Sequence, residues 1–154
     1  MKSIYLDNAA TTKLAPEVAD AMIPVLSEVY GNPSSTHAVG RKAKALIETS
    51  RRDISKILEC EPRSITFTSG GTEADNLALR AAVLDLGCKR IITSPAEHSA
   101  VIASSEKMAN LFGVELVHVK HLKDGTVDCE NLRDLLSTGP KTLVSLMHAN
   151  NEVG

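Results

Sequence analysis

Residues Ile65 to Asn76 read ITFTSGGTEADN, and the order of residue types in this stretch decides the architecture expected around it. Ile65 to Ser69 alternates apolar and hydroxylated side chains rich in β-branching, with Ile65 and Phe67 on one face, as a strand does. Gly70 and Gly71 end the strand, let the backbone turn sharply and allow it to approach a ligand closely. Helical character follows from Thr72 to Leu86. A strand that feeds through two glycines into a helix leaves the first helical N–H groups unpaired at the turn, a geometry that suits phosphate. Thr72 adds a neutral hydroxyl donor, and Ser69 offers another from the strand end. A plain turn with a helix cap uses the same residues, and Glu73 is equally a first-turn acid favoured by the helix dipole. No P-loop lysine follows and the third glycine of the dinucleotide fingerprint is missing, so ATP and NAD are disfavoured.

Working outward, the upstream sequence predicts two helices. PEVADAMIPVLSEVY, Pro16 to Tyr30, places Val18, Met22, Val25, Leu26 and Val29 on one stripe, with Pro24 expected to bend it. GNPSSTH, Gly31 to His37, cannot continue a helix and reads as an ordered loop. Val39 to Glu59 then carries Ala43, Leu46, Ile47, Ile54, Ile57 and Leu58 at helical spacing. Downstream, RIITS is a short buried strand, His98 to Phe112 a helix, and Val114 to Val119 a strand. Asp128 to Leu136 is a short helix and TLVSLMHA, Thr142 to Ala149, a buried strand. Strands alternating with helices predict an α/β fold, doubly wound, with a mainly parallel sheet and helices on both faces. Ligands bind such sheets beyond the carboxyl ends of the strands, which marks Ser69, Ser94 and Ala149 as the edge of a site.

Several polar side chains fall near that edge. His98, just past IITS, can stack on a planar ligand and exchange protons, or simply cap the helix it begins. Asn150 and Asn151 follow the last strand; as amides they can donate to a phenolate or carboxylate oxygen, or they can form a turn. His148 is expected to face a neighbour in the core, and His118 and His121 to be strand-edge or loop residues. Asp7 to Thr12, DNAATT, lines a cavity or forms a turn.

Bulk properties exclude other classes. A length of 154 residues suits one domain with a core. Seventeen basic against 19 acidic side chains give a formal charge of -2 without a run of either sign, so neither nucleic acid nor an anionic membrane surface is an expected partner. MKSIYLDNAATT lacks a basic flank followed by an apolar stretch, and nowhere do about 18 apolar residues run together. The expected location is therefore cytoplasmic. Cys60, Cys88 and Cys129 are widely spaced and imply neither a disulfide framework nor a metal site. Cys88, beside Lys89 and Arg90, would be biased towards thiolate if exposed; an unreactive thiol is the simpler reading.

Five motifs in order, YLDNAATT, GNPSSTH, ITFTSGGTEADN, IITSPAEHSAV and VSLMHANNEVG, resemble the pyridoxal-phosphate cysteine desulfurases of the class V aminotransferase group, and together they span essentially the whole chain. The resemblance implies the large domain of a fold-type I pyridoxal 5'-phosphate transferase: an amino-terminal arm over about residues 1–35, then the start of the α/β domain. It implies that Gly71 and Thr72 hold the cofactor phosphate, that His98 stacks on the pyridine ring and transfers protons, and that Asn151 lies near the phenolate oxygen. Asn8 to Thr12 and Asn32 to His37 resemble segments that shape the active-site entrance. L-cysteine as substrate, a sulfur acceptor, release of L-alanine and a homodimer are implied likewise.

The same resemblance places further parts after Gly154: the Schiff-base lysine within a Ser-His-Lys motif, the aspartate that pairs with the pyridine nitrogen, the sulfur-accepting cysteine, the arginine for the substrate carboxylate and a small carboxyl-terminal domain. None of Lys120, Lys123 or Lys141 follows a Ser-His pair, and Cys60, Cys88 and Cys129 are not in the nucleophile's context. The expectation is thus an incomplete cofactor-binding domain over 1–154, inactive by itself. Two alternatives stay open: a non-catalytic half that pairs with a complementary chain, and a related pyridoxal-phosphate lyase or aminotransferase.

Overall fold

A computed structural model describes residues 4–152; Val153 and Gly154, which end the last motif, lie outside the described residues. The helices are α1 (Pro16–Glu28), α2 (Ala38–Ile57), α3 (Gly71–Leu84), α4 (Ser99–Phe112) and α5 (Cys129–Ser137). The strands are β1 (Arg90–Thr93), β2 (Glu115–His118) and β3 (Thr142–Val144), and Pro62–Ser64 makes one 3-10 turn. The chain divides between Phe67 and Thr68 into two compact units.

In the first unit α1 starts on Pro16, whose fixed φ suits a first helical position, and Pro24 lies inside the helix. The loop GNPSSTH is ordered, as its composition predicts. Asn32 Oδ1 accepts from the Ser34 N–H at 2.9 Å, and His37 Nδ1 caps α2 by accepting from the Gly40 N–H at 3.3 Å. A Cβ on Gly40 would lie 2.6 Å from the carbonyl oxygens of both Asn32 and Ser35, so only glycine lets loop and helix meet this closely. Further along α2, the Arg51 guanidinium lies 4.9 Å from the Phe67 ring centroid and donates to the Ile65 carbonyl. Asp7 to Thr12 takes the turn reading: the N–H groups of Ala10 and Thr11 both donate to Asp7 O, and the segment is exposed.

Residues 65–69 require a correction. Ile65 is extended, at φ -100 and ψ 125, but the segment pairs with no strand among the described residues. Alternation and β-branching set the local conformation. A strand also needs a neighbour to take its N–H and C=O groups, and the backbone groups of Thr66, Phe67 and Thr68 find none among the described residues.

The second unit is α/β with a parallel sheet in the order β2-β1-β3. Ile91 is aligned with Leu116 and Leu143, and this face meets Leu79 and Val83 of α3 and Met108 of α4. Period-2 alternation sends Arg90 and Ile92 to the opposite face. There the buried Arg90 guanidinium donates to Leu135 O at 2.8 Å, Thr138 O at 2.9 Å and Thr142 Oγ1 at 3.0 Å, which fastens the carboxyl end of α5 to the sheet. β1 lies between two parallel neighbours and is buried on both faces, with Ile91 and Ile92 fully enclosed.

β3 is shorter than the expected TLVSLMHA strand. A parallel strand pairs no further than its neighbour reaches, and β1 ends at Thr93. The Ser145 N–H makes the last ladder bond, to Ile92 O at 2.9 Å. His148 is consequently exposed rather than turned into the core. Cys88 is buried, 4% exposed, which removes the condition under which its basic neighbours would favour a reactive thiolate.

Candidate functional site

The loop after β1 and the tail after β3 face each other beyond the carboxyl ends of the strands, where an α/β sheet positions its ligands. Pro95 to Ser99 and Ile102 form one wall of a cavity of about 450 Å³, and Asn150, Asn151 and Glu152 form the other. His98 and Asn151, fifty-three positions apart in sequence, therefore share one cavity. Gly71 and Thr72 do not line it; they stand at the exposed start of α3.

His98 does cap its helix. Its Nδ1 accepts from the Ala100 N–H at 3.1 Å, while Val101 and Ile102 donate to its carbonyl. An accepting Nδ1 places the proton of the neutral ring on Nε2. The capped histidine is thus a hydrogen-bond donor at its outer nitrogen; accepting a proton at Nε2 requires a different tautomer and the loss of the cap. The cap reading is the one observed, and the capped residue lines the cavity shared with Asn151.

The start of α3 is built differently. No side chain caps it, and Ala74 is the first amide to find a backbone partner, Gly70 O at 3.1 Å. The amides of Gly71, Thr72 and Glu73 have no partner among the described residues. The Glu73 carboxylate folds back past these groups to accept from both the N–H and the hydroxyl of Ser69, each at 2.6 Å. Those two bonds, the hydroxyl first, hold the Glu73 carboxyl below its ordinary range, so it is ionised and occupied with bracing the turn. Glu73 is a structural brace rather than a ligand group. Gly70 is extended, at φ 169 and ψ 179, and a Cβ on either glycine would touch nothing within 4 Å. Neither backbone strain nor protein packing demands glycine at 70 or 71. Bare backbone, open N–H groups, the Thr72 hydroxyl and a helix N-terminus form a donor set that fits a phosphate dianion.

The two asparagines separate in role. Asn150 is structural: its Nδ2 donates to Ala96 O at 2.8 Å and its Oδ1 accepts from the Glu152 N–H at 2.7 Å. Asn151 is exposed in the cavity. His121 is more than a loop residue, because its Nε2 lies 2.9 Å from Ser94 Oγ, which also accepts from the Ala96 N–H. Sequence reasoning missed Glu97, whose carboxylate is largely buried and accepts from the Met147 N–H at 2.5 Å. Its signal was present but slight: an acid inside SPAEHSAV, between a strand end and a helix start. Among the described residues no cluster of His, Cys, Asp or Glu is placed to hold a metal, and no helix is long and apolar enough to cross a membrane.

A cysteine desulfurase of Cereibacter sphaeroides is 45% identical over 157 residues, covering 100% of this chain and 40% of that protein. The cysteine desulfurase IscS of Dictyoglomus turgidum is 42% identical, covering 99% of the chain and 39% of the relative. A solved NifS-like protein superposes with a TM-score of 0.86 at 38% identity, over 98% of this chain and 42% of its own. A structure titled SspA in complex with cysteine gives a TM-score of 0.87 at 29% identity, over 97% and 43%. The chain spans about two fifths of the length of the curated relatives it matches. Residues 4–154 match the family described as aminotransferase class-V, and the chain belongs to that family.

Proposed function

We propose that this chain is the amino-terminal, cofactor-holding part of a pyridoxal-phosphate-dependent cysteine desulfurase, which transfers sulfur from L-cysteine to an acceptor and releases L-alanine. The observation that carries the reading is the contrast between two helix starts in one unit. α4 is capped by His98, whereas α3 opens on unpaired amides beside glycines for which the protein itself has no steric need. In this reading Gly71 and Thr72 bind the cofactor phosphate, His98 offers its ring face and its Nε2 proton, and Asn151 donates an amide proton to the phenolate oxygen. When bound, the cofactor supplies an electron-withdrawing ring that stabilises negative charge developing on the substrate. The protein's part is to orient that ring and to place a proton donor beside it.

The substrate assignment draws support from the desulfurase relatives and from the neighbour whose title includes cysteine. Exposed apolar side chains on the first unit, among them Leu26 at 75%, Tyr30 at 81% and Ile57 at 80%, support a homodimer or a complementary chain as partner. A cytoplasmic location belongs to the same reading.

The test is cofactor binding by fluorescence and absorbance. Gly71→Ala adds a methyl that meets no protein atom and improves helix propensity by up to about 1 kcal/mol, so it should fold at least as well as the parent while binding pyridoxal 5'-phosphate more weakly. Thr72→Ala should weaken binding by about 1 kcal/mol, the net worth of one hydrogen bond. Unchanged affinity in both variants would remove the phosphate cradle from the proposal. Because no lysine in residues 1–154 follows a Ser-His pair, the 154-residue chain should release neither sulfide nor alanine from cysteine; detection of either contradicts the assignment of the covalent step to another segment.

A further inference from the structure

Glu97 has no role in holding a phosphate or a ring, yet it is a carboxylate only 9% exposed on the wall of the candidate site. Burying a charge is unfavourable unless hydrogen bonds compensate, so its partner matters. That partner is the Met147 N–H, at 2.5 Å. Met147 lies beyond the last ladder bond of the sheet, where among the described residues no neighbouring strand continues to hold the chain. Glu97 therefore does with a side chain what β1 no longer does with its backbone. Three residues on, Asn150 repeats the link with side chain and backbone exchanged: its Nδ2 donates to Ala96 O at 2.8 Å, and its Oδ1 holds the next turn through the Glu152 N–H. The loop that receives these bonds is itself fixed, because Ser94 Oγ accepts from the Ala96 N–H and contacts His121, while Glu97 N–H donates to Ser94 O.

The two links run between one pair of segments and bracket the two residues of interest. Glu97 immediately precedes His98, and Asn150 immediately precedes Asn151. We propose that Glu97 is a positioning residue which, together with Asn150, clips the tail after β3 to the loop after β1 and so sets Asn151 against His98 across their shared cavity. This rests on the reading of His98 and Asn151 as cofactor-facing groups. The clip acts by accepting a hydrogen bond at a defined place, so a neutral acceptor of the same shape should serve.

The experiment compares Glu97→Ala, Glu97→Gln and Asn150→Ala in the 154-residue chain. Amide exchange at Met147, side-chain amide resonances of Asn151 and ring resonances of His98 are measured beside thermal midpoints and the affinity for pyridoxal 5'-phosphate. Glu97→Ala should lose protection at Met147, shift the Asn151 resonances and weaken cofactor binding about fivefold or more, the effect of losing one hydrogen bond. Glu97→Gln should keep the Asn151 resonances and bind within about twofold of the parent, since a neutral acceptor preserves the bond. Asn150→Ala should shift the same Asn151 resonances while Glu97 is intact, which keeps the test decisive even if Glu97→Ala fails to fold. Asn151 resonances unchanged in folded Glu97→Ala, or Glu97→Gln behaving like Glu97→Ala, overturn the clip. If the parent chain binds no cofactor, the functional reading falls by itself, and the Met147 and Asn151 measurements still judge the clip.

Discussion

One pair of substitutions separates the observed capping by His98 from the cofactor contact proposed for its ring. Its Nδ1 satisfies the Ala100 N–H at 3.1 Å, and its ring shares a cavity with Asn151. In His98→Ala the exposed amide turns to water, which places the cost of the lost cap at about 0.5–1 kcal/mol, the lower part of the range for N-caps. For a protein of this size that corresponds to a fall of about 2–4 °C in thermal midpoint. In His98→Asn the side-chain oxygen replaces Nδ1 as acceptor, so stability should stay within a few tenths of a kcal/mol of the parent. Both variants lose the aromatic face, worth about 0.5–1.5 kcal/mol or roughly two- to tenfold in cofactor affinity. Thermal denaturation followed by circular dichroism reads the first effect and titration with pyridoxal 5'-phosphate the second; nitrogen NMR should show the neutral ring protonated at Nε2. If His98→Asn is as destabilised as His98→Ala, the cap argument is wrong. If it binds cofactor like the parent, the ring does not face the ligand.

Other consequences are equally measurable. Arg90→Ala strips donors from Leu135 O, Thr138 O and Thr142 Oγ1 and should cost about 2–4 kcal/mol in denaturant unfolding; Arg90→Lys should recover only part, since an ammonium cannot fork between these acceptors. Gly40→Ala drives a methyl against the carbonyl oxygens of Asn32 and Ser35 and should cost about 1–3 kcal/mol, with faster amide exchange in residues 31–37. Glu73 has its carboxyl lowered by the Ser69 hydroxyl and N–H, so the folded chain releases that proton more readily than the unfolded one. Its stabilisation is complete above the unfolded value and is lost as pH falls through the lower folded value. Glu73→Gln should flatten that acid limb of the stability profile by lowering stability at neutral pH towards the value reached in acid.

Much of this was legible in the sequence, for identifiable reasons. Helix spans followed from apolar periodicity and their boundaries from single residues: Asp128 caps α5 by accepting from the Asn131 N–H at 3.0 Å, and Gly113 ends α4 at φ 63. The parallel sheet followed from strand and helix alternation. What failed were statements that depend on a partner distant in sequence. ITFTS has the composition of a strand yet pairs with no strand among the described residues, and TLVSLMHA has the composition of a longer strand than β1 can match. His98 and Asn151 were named from the sequence and line one cavity, whereas the hydrogen bonds of Asn150 and the placement of Glu97 depend on a loop crossing that no local pattern encodes.

The unpaired segment ahead of the cradle links two equilibria. Thr66 to Thr68 offer a row of N–H and C=O groups without partners among the described residues, and the same backbone leads through Ser69 into the likewise unpartnered first amides of α3. Any strand that zips onto this row restricts the torsions of the residues just before the glycines, which removes conformational entropy that a bound phosphate would otherwise have to remove. Strand addition and phosphate binding must then be cooperative and reciprocal: each tightens the other by the same factor.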